Sequence, residues 1–230
     1  MKRFRASIIL VASIILVITA MIVFHYLPKY QATQINTPIT PSQAPLDTAA
    51  ATPPSPASAL PPLHVSESKA LDLYDQGLKL YNQRQFPEAL VLFNQALKLD
   101  AQCYEALNAK GATLAFQGHY AQGLALIEQA LELNPLFVYG HFNRGLANEL
   151  AGQWEPAIAA YQKALQLDKR DTWSYYGIAS IYGRLGNIDK VLEYLKPAIS
   201  LNPDVKEVAR NEHDFAPVRQ DPRFQTLVKP

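Results

Sequence analysis

Histidine and carboxylate side chains could perform acid–base or metal chemistry in this chain, but their spacing supports neither. The five histidines stand at positions 25, 64, 119, 141 and 213. None has a partner at metal-ligand spacing, and the sequence contains neither a His-Glu-x-x-His motif nor a glycine-rich phosphate loop. The pair His213-Asp214 has no nucleophile near it. We therefore predict no catalytic residue, no metal site and no cofactor, and we do not expect an enzyme.

Two reactive side chains have simpler structural interpretations. His141 lies within the repeating apolar pattern described next, and we interpret it as a core histidine with its hydrogen bonds satisfied. Cys103 is the only cysteine, so it cannot form a disulfide within the chain. A structural thiol and one half of a bridge between two chains both remain open for it.

One sequence pattern occurs four times in the middle of the chain, with matching positions always separated by 34. We call this separation the period. A fixed period indicates one small unit stacked on copies of itself, because a single unit cannot bury its own apolar face. The sets of matching residues are Gly77, Gly111, Gly145 and Ala179; Phe86, Tyr120, Trp154 and Ile188; Phe93, Ile127, Tyr161 and Leu195; Ala96, Ala130, Ala164 and Ala198; and Leu99, Leu133, Leu167 and Leu201.

Each unit is predicted to be a pair of amphipathic helices. In the first unit Leu73, Gly77 and Leu80 share one helical face, and a second apolar stripe starts at Phe86. Residues 83–85 make the turn between the helices, and glycines at 118, 152 and 186 occupy the matching turns, where a positive φ ends the first helix. The small residues at 77, 111, 145 and 179 allow the two helices to approach closely.

At these residues the chain resembles the tetratricopeptide repeat family. The fourth unit shows the family pattern as Tyr175, Ala179, Tyr182, Leu195, Ala198 and Pro203. The resemblance implies an all-α solenoid of four helix-turn-helix repeats over residues 66–203, with repeats at about 70–103, 104–137, 138–171 and 172–205. It also implies a concave groove that binds a peptide or protein. Residues 206–230 are predicted to form capping helices, with Asp214 and Asp221 capping short turns and Pro222 at a first helical position.

The first helices are expected to line this groove. Their predicted partner-binding residues are Tyr74, Tyr81, Asn108, Phe116, Tyr139, Phe142, Glu149, Trp173 and Tyr176. Tyrosine and tryptophan dominate binding hot spots, which favours this set. The alternative, that some of these rings only pack against the next unit, stays open. Recognition of a terminal carboxylate is not expected, because Tyr74 and Leu78 replace the Lys and Asn that some family members use.

The amino-terminal segment is predicted to be a membrane anchor. Residues 7–27 contain no Asp, Glu, Lys or Arg, and as a helix they span roughly 31 Å, which matches the bilayer core. Three basic residues precede the segment and only Lys29 follows it closely, so residues 1–6 are predicted to be cytoplasmic and the repeats extracytoplasmic. A cleaved signal peptide is the competing interpretation, although its apolar region would be shorter.

Residues 28–65 are predicted to be a disordered linker. This stretch contains nine prolines and few large apolar residues, so it can form neither a helix nor a packed core. Beyond it the chain has 17 Lys and Arg against 19 Asp and Glu, which gives no basic surface for nucleic acid. We predict a single-pass scaffold of the cell membrane; the alternatives are a self-associating module, with a homo-oligomer as product, or an accessory subunit of an envelope enzyme.

Overall fold

The computed structural model of the protein describes residues 64–229. The predicted cytoplasmic tail (1–6), transmembrane helix (7–27) and all but the last two residues of the linker lie outside the described residues. In the part that is described, none of the helices has the length and apolar character needed to cross a bilayer.

The described residues form helices joined by short turns, with no strand among them. The helices are α1 (Ser68–Asn82), α2 (Phe86–Leu99), α3 (Tyr104–Phe116), α4 (Tyr120–Leu133), α5 (Val138–Leu150), α6 (Trp154–Leu167), α7 (Thr172–Arg184), α8 (Ile188–Leu201), α9 (Val205–Asn211), a 3₁₀ helix (His213–Val218) and α10 (Pro222–Leu227). The predicted all-α solenoid of four helix pairs is confirmed.

The four pairs are α1–α2, α3–α4, α5–α6 and α7–α8, and packing is most extensive within each pair. Between units, each second helix packs on the first helix of the next unit, and the first helices also touch one another in sequence. The core therefore runs along the whole stack. Phe93, Ile127, Tyr161 and Leu195, which occupy one position of the period, are all fully or almost fully buried.

Each first helix ends at a residue with positive φ. Gly118, Gly152 and Gly186 have φ values of 87°, 74° and 71°, as the turn prediction requires. In the first unit this position is Arg84, with φ of 63°. A left-handed conformation costs a side chain-bearing residue about 1–2 kcal/mol, so Arg84 is strained where glycine would be relaxed.

Replacing Arg84 with glycine should therefore stabilise the first unit by up to about 1 kcal/mol. The converse change, Gly118→Ala, should destabilise the second unit by a similar amount through the backbone alone, because no atom lies within 4 Å of the added Cβ. Thermal unfolding followed by circular dichroism measures both. If the unfolding temperatures of the two variants shift by the same amount in the same direction, Arg84 is not strained.

Every unit closes with a side chain-to-backbone turn that the sequence analysis did not identify. The side chains of Asp100, Asn134, Asp168 and Asn202, spaced by the period, accept the N–H two residues on at 2.8–3.1 Å. Asp and Asn form this turn readily. The turn forms whether or not a proline follows, since Pro135 and Pro203 follow it only in the second and fourth units.

Asp100 also holds the segment that precedes α1. One of its oxygens accepts from His64 Nε2 at 2.8 Å and from the backbone N–H of Glu67 at 3.0 Å. Ser66 donates to Glu105 at 2.7 Å. The last residues of the predicted linker are therefore bonded to the junction of the first two units.

Replacing Asp100 with alanine should release residues 64–67 as well as remove a turn. We expect a loss of about 1–2 kcal/mol and faster amide hydrogen exchange at the start of α1. Asn134→Ala is the matched control, because Asn134 makes the same turn at the next junction, away from that segment. If the two variants exchange equally at residues 66–70, Asp100 does not anchor that segment.

The carboxy-terminal residues form a shortened fifth pair. The sequence shows no apolar period after Pro203, but the expected capping helices are present: α9 starts at Val205, and α10 starts one period after α8. The 3₁₀ helix packs on α7, as the first helix of a further unit would, and α10 packs on α8. Arg223 of α10 bonds Asp189, which lies one period earlier, at 2.8 Å.

One of the two predicted caps in this region is confirmed and one is wrong. Asp221 accepts from the N–H of Arg223, with Pro222 at the first helical position. Asp214 does not cap the 3₁₀ helix; Glu212 does, by accepting from the N–H of His213. Asp214 instead forms an ion pair with Arg184, which is a stronger interaction than a neutral helix cap.

Candidate partner-binding face

The first helices lie side by side, so matching positions form rows across the stack. We call the side that carries the predicted binding residues the groove face. Seven of the nine predicted residues are less than a tenth exposed, and Phe116 and Tyr139 are half-buried. Their role in binding therefore stays a prediction, and each residue has its own packing environment.

Phe116 packs at the junction of the first two units. Its ring centroid lies 6.0 Å from that of Tyr81 and 6.2 Å from that of Phe86, on which it stacks. Position 115, and not 116, lies one period after Tyr81. Phe116 therefore stands beside the row of binding positions and contributes mainly to contact between units.

Tyrosines dominate the groove face over the first three units. Burial raises the pKa of Tyr74 and Tyr81, and the nearby Tyr139 adds to both shifts. Burial also raises the pKa of Tyr139 to about 12. These hydroxyls stay neutral at physiological pH, so this part of the face offers aromatic surface and uncharged hydrogen-bonding groups. Tyr139 stacks on Phe142 with 6.0 Å between ring centroids.

Several buried polar atoms on the groove face have no hydrogen-bond partner among the described residues. They include both amide atoms of Asn108, the indole nitrogen of Trp173 and the hydroxyl oxygen of Tyr176. Asn108 is fully buried, and the other two are 5–6% exposed. Buried polar groups are normally bonded, so each of these requires an explanation, such as a water or a ligand.

Glu149 differs, because its carboxylate is bonded within the protein. It accepts from the Tyr161 hydroxyl at 2.7 Å and lies 3.0 Å from Arg184 Nη2. Arg184 also contacts Asp214 at 2.7 Å, and the Ser180 hydroxyl donates to Asp214. Glu149 therefore links the third unit to the fourth and to the shortened fifth pair, and it is not free to bond a partner.

Glu212 lies beside this network and is 1% exposed. Burial, and then the charge of Asp214, raise its pKa to about 7. The folded protein thus holds this proton more tightly than the unfolded chain, where a glutamate titrates near about 4.3. The stability that this proton contributes is fully present below the pKa that Glu212 has in the unfolded chain. It is lost as pH rises through about 7, the pKa of Glu212 in the folded protein.

Glu212→Gln should remove this pH dependence. We expect the variant to be more stable than the wild type at pH 8 by roughly 1–3 kcal/mol, because the amide keeps an acceptor without the charge. Urea unfolding between pH 5 and pH 8.5 measures the difference. The control is Glu193→Gln, since Glu193 is exposed and pairs with the neighbouring Lys190. If the free energy of unfolding varies with pH in the same way in the wild type and in Glu212→Gln, the prediction is wrong.

The other chemically reactive groups have structural contacts. His141 Nε2 donates to the carbonyl of Pro135 at 2.9 Å, and burial lowers the pKa of the ring. Its buried Nδ1 has no partner among the described residues, so the prediction of a histidine with satisfied hydrogen bonds holds for one ring nitrogen only. Cys103 is fully buried, and burial raises its pKa to about 11. Over residues 64–229 no group of three His, Cys, Asp or Glu side chains is placed to hold a metal ion.

Family profiles match most of the helix pairs. Profiles described as tetratricopeptide repeat match residues 74–115, 104–135 and 174–205, and one described as TPR repeat matches 150–186. Together they cover about half of the chain. The chain belongs to the tetratricopeptide repeat family. Proteins with this repeat are in general interaction modules and not enzymes. No curated protein matches the sequence.

Solved structures support the same fold. TTC0263, a thermophilic TPR protein in Thermus thermophilus, is 22% identical with a TM-score of 0.58, over 69% of this chain and 86% of that one. MamA from Desulfovibrio magneticus RS-1 is 25% identical with a TM-score of 0.50, over 59% and 76%. YrrB, a TPR protein with an unusual peptide-binding site, is 17% identical with a TM-score of 0.50, over 69% and 84%.

The sequence analysis missed the residues that join the repeats to the shortened fifth pair. Arg184 and Glu212 were not considered, and Asp214 was assigned only a capping role. One signal was available: Ser180 and Asp214 are one period apart, so a fifth repetition of the unit would place them on adjacent helices.

Proposed function

We propose that this protein is a membrane-tethered scaffold that binds a peptide or protein partner on its groove face, on the extracytoplasmic side of a cell membrane. The uncharged segment 7–27 and the basic residues before it support the tether and its orientation. The linker would extend at most ~120 Å if fully stretched, so the repeats would sample a limited volume above the membrane. Confinement of this kind raises the local concentration of a membrane-bound partner.

The observation that carries the binding proposal is the set of unpartnered polar atoms on the groove face. The amide of Asn108 and the side-chain donors of Trp173 and Tyr176 lie on one side of the stack and lack partners within the described residues. A bound polypeptide has backbone carbonyl and N–H groups that can meet these needs. The peptide-binding site for which YrrB is described shows that the fold can serve this purpose.

Site-specific photocrosslinking tests the proposal. A photoreactive amino acid at Tyr139 or Trp173 in the full chain, in its native membrane, should capture one partner. Matched control sites are Val91 and Gln129, which are exposed on the second helices. Capture from the control sites alone would place binding elsewhere. Crosslinks only to another copy of this chain would favour the self-associating module instead.

Topology requires a separate measurement. Protease added to sealed vesicles of known orientation should digest the repeats only when the extracytoplasmic face is accessible. The same digestion from the cytoplasmic side would contradict the proposed orientation. Recovery of the chain in the soluble fraction would contradict the tether.

A further inference from the structure

Three carboxylates meet where the fourth unit contacts the shortened fifth pair. Glu149 comes from α5, and Glu212 and Asp214 come from the segment after α9. The Glu149 and Asp214 side chains are 9% and 10% exposed, and Glu212 is 1% exposed. We call these three residues the acidic cluster. Negative charges this close together and this far from water need compensation.

No cation among the described residues contacts the Glu212 carboxylate directly. Arg184 contacts Glu149 at 3.0 Å and Asp214 at 2.7 Å. Arg219 donates to the backbone carbonyl of Glu212 and not to its carboxylate. In the part of the chain that the structure describes, Glu212 Oε1 accepts only the N–H of His213, and Oε2 has no partner.

A second group points to the same place. The Tyr176 hydroxyl lies on the groove face, is buried and has no partner in the described part of the chain. Burial raises its pKa, and the charges of Glu212, Asp214 and Glu149 raise it further. The Tyr176 ring also packs edge-on against Phe215, with 5.9 Å between centroids. Phe215 follows Asp214 in the 3₁₀ helix, so the Tyr176 side chain lies beside the acidic cluster. A phenol oxygen and a carboxylate oxygen that both lack a partner can accept from the same donor.

We infer that the acidic cluster receives a positively charged side chain, arginine or lysine, from the partner on the groove face, with Glu212 as its counterion and Tyr176 as a second acceptor. The inference rests on the proposed function and specifies the chemistry of the partner at this end of the groove. Arginine suits the site best, since its guanidinium has several donors in a fixed plane.

A proton competes with this cation for Glu212. Because burial raises the pKa of Glu212 to about 7, a fraction of the protein is protonated there at neutral pH. Occupancy by a cation should therefore increase as pH rises. The other charged or titratable groups around the site are Glu149, Tyr161, Arg184, Asp214 and Arg219.

The two tryptophans report on this site directly. Arg184 lies 5.3 Å from the ring of Trp154, and Trp173 packs edge-on against Tyr176 with 5.7 Å between centroids. The full chain in detergent, with ¹⁵N-labelled indoles, is titrated with N-acetyl-L-argininamide, and with N-acetyl-L-citrullinamide as the neutral isostere. The arginine compound should shift the Trp173 signal saturably, and tenfold more tightly at pH 8 than at pH 6.

Glu212→Gln should weaken this binding at least tenfold at pH 8, whereas Glu193→Gln should leave it unchanged. Equal shifts by both compounds, or equal affinity in wild type and Glu212→Gln, would overturn the inference. The outcome is separate from that of the crosslinking experiment, because the small probe needs no natural partner. Capture of a partner from Tyr139 together with no response to the arginine compound would leave the proposed function intact and reject this site.

Discussion

Arg184→Met should lower the free energy of unfolding by about 3–5 kcal/mol at pH 7, the largest effect expected of any single change described here. Among the described residues, Arg184 is the one cation that contacts both Glu149 and Asp214. Methionine keeps much of the side-chain volume against Trp154 but leaves two buried carboxylates without their counterion. Denaturant unfolding monitored by circular dichroism measures the loss.

The pH dependence and a control make this prediction specific. Burial already raises the pKa of Glu149, so without Arg184 the folded variant should bind protons still more tightly than the unfolded chain. Its stability should therefore recover as pH falls from 7 toward 5. Arg144→Met is the control, since Arg144 makes an exposed contact of 3.4 Å with Glu128 and should cost under about 1 kcal/mol. Similar losses in both variants would show that the buried contacts of Arg184 are not important.

Gly111→Ala should destabilise the second unit by about 2–3 kcal/mol. An added Cβ would lie 2.6 Å from the carbonyl oxygen of Gly123 and 2.8 Å from Ile127. The first of these atoms is backbone, so α3 and α4 must separate to make room. The loss should appear in thermal unfolding and as faster hydrogen exchange in both helices.

The fourth unit provides the reverse experiment. Its residue at the same position is Ala179, which is fully buried. Ala179→Gly should cost only about 1 kcal/mol, through helix propensity and a small cavity. If alanine at 111 proves as harmless as glycine at 179, close approach of α3 and α4 does not determine the residue at this position.

The helix pairs could be predicted because each signal is local or strictly periodic. Glycine at 118, 152 and 186 marks a turn by its own backbone freedom, and the apolar stripes recur with the period. The turn at Arg84 could also be predicted, because the period places it there. Its positive φ could not be read from the residue type, since glycine and not arginine favours that conformation. The Asx turns at 100, 134, 168 and 202 follow the same period, so the sequence contained them too.

The groove face could be predicted by position but not by environment. The period places Glu149 in line with Tyr81, yet the carboxylate bonds Tyr161 on its own unit and Arg184 on the next. Those contacts depend on side chains that differ between units, and a repeating pattern describes only what the units share. The contact of Asp214 with Arg184 was missed for the same reason, because the tail lacks the apolar period while keeping the spacing of its helices.

That spacing has a consequence for how this protein could change in length. The shortened fifth pair contacts the fourth unit through Ser180–Asp214 and Asp189–Arg223, and both pairs are separated by one full unit. Both contacts involve only residues of the unit immediately before the fifth pair. A duplicated fourth unit would therefore present the same serine and aspartate to the fifth pair. Whole units can therefore be gained or lost by recombination ahead of an unchanged terminus, which would lengthen or shorten the groove in steps.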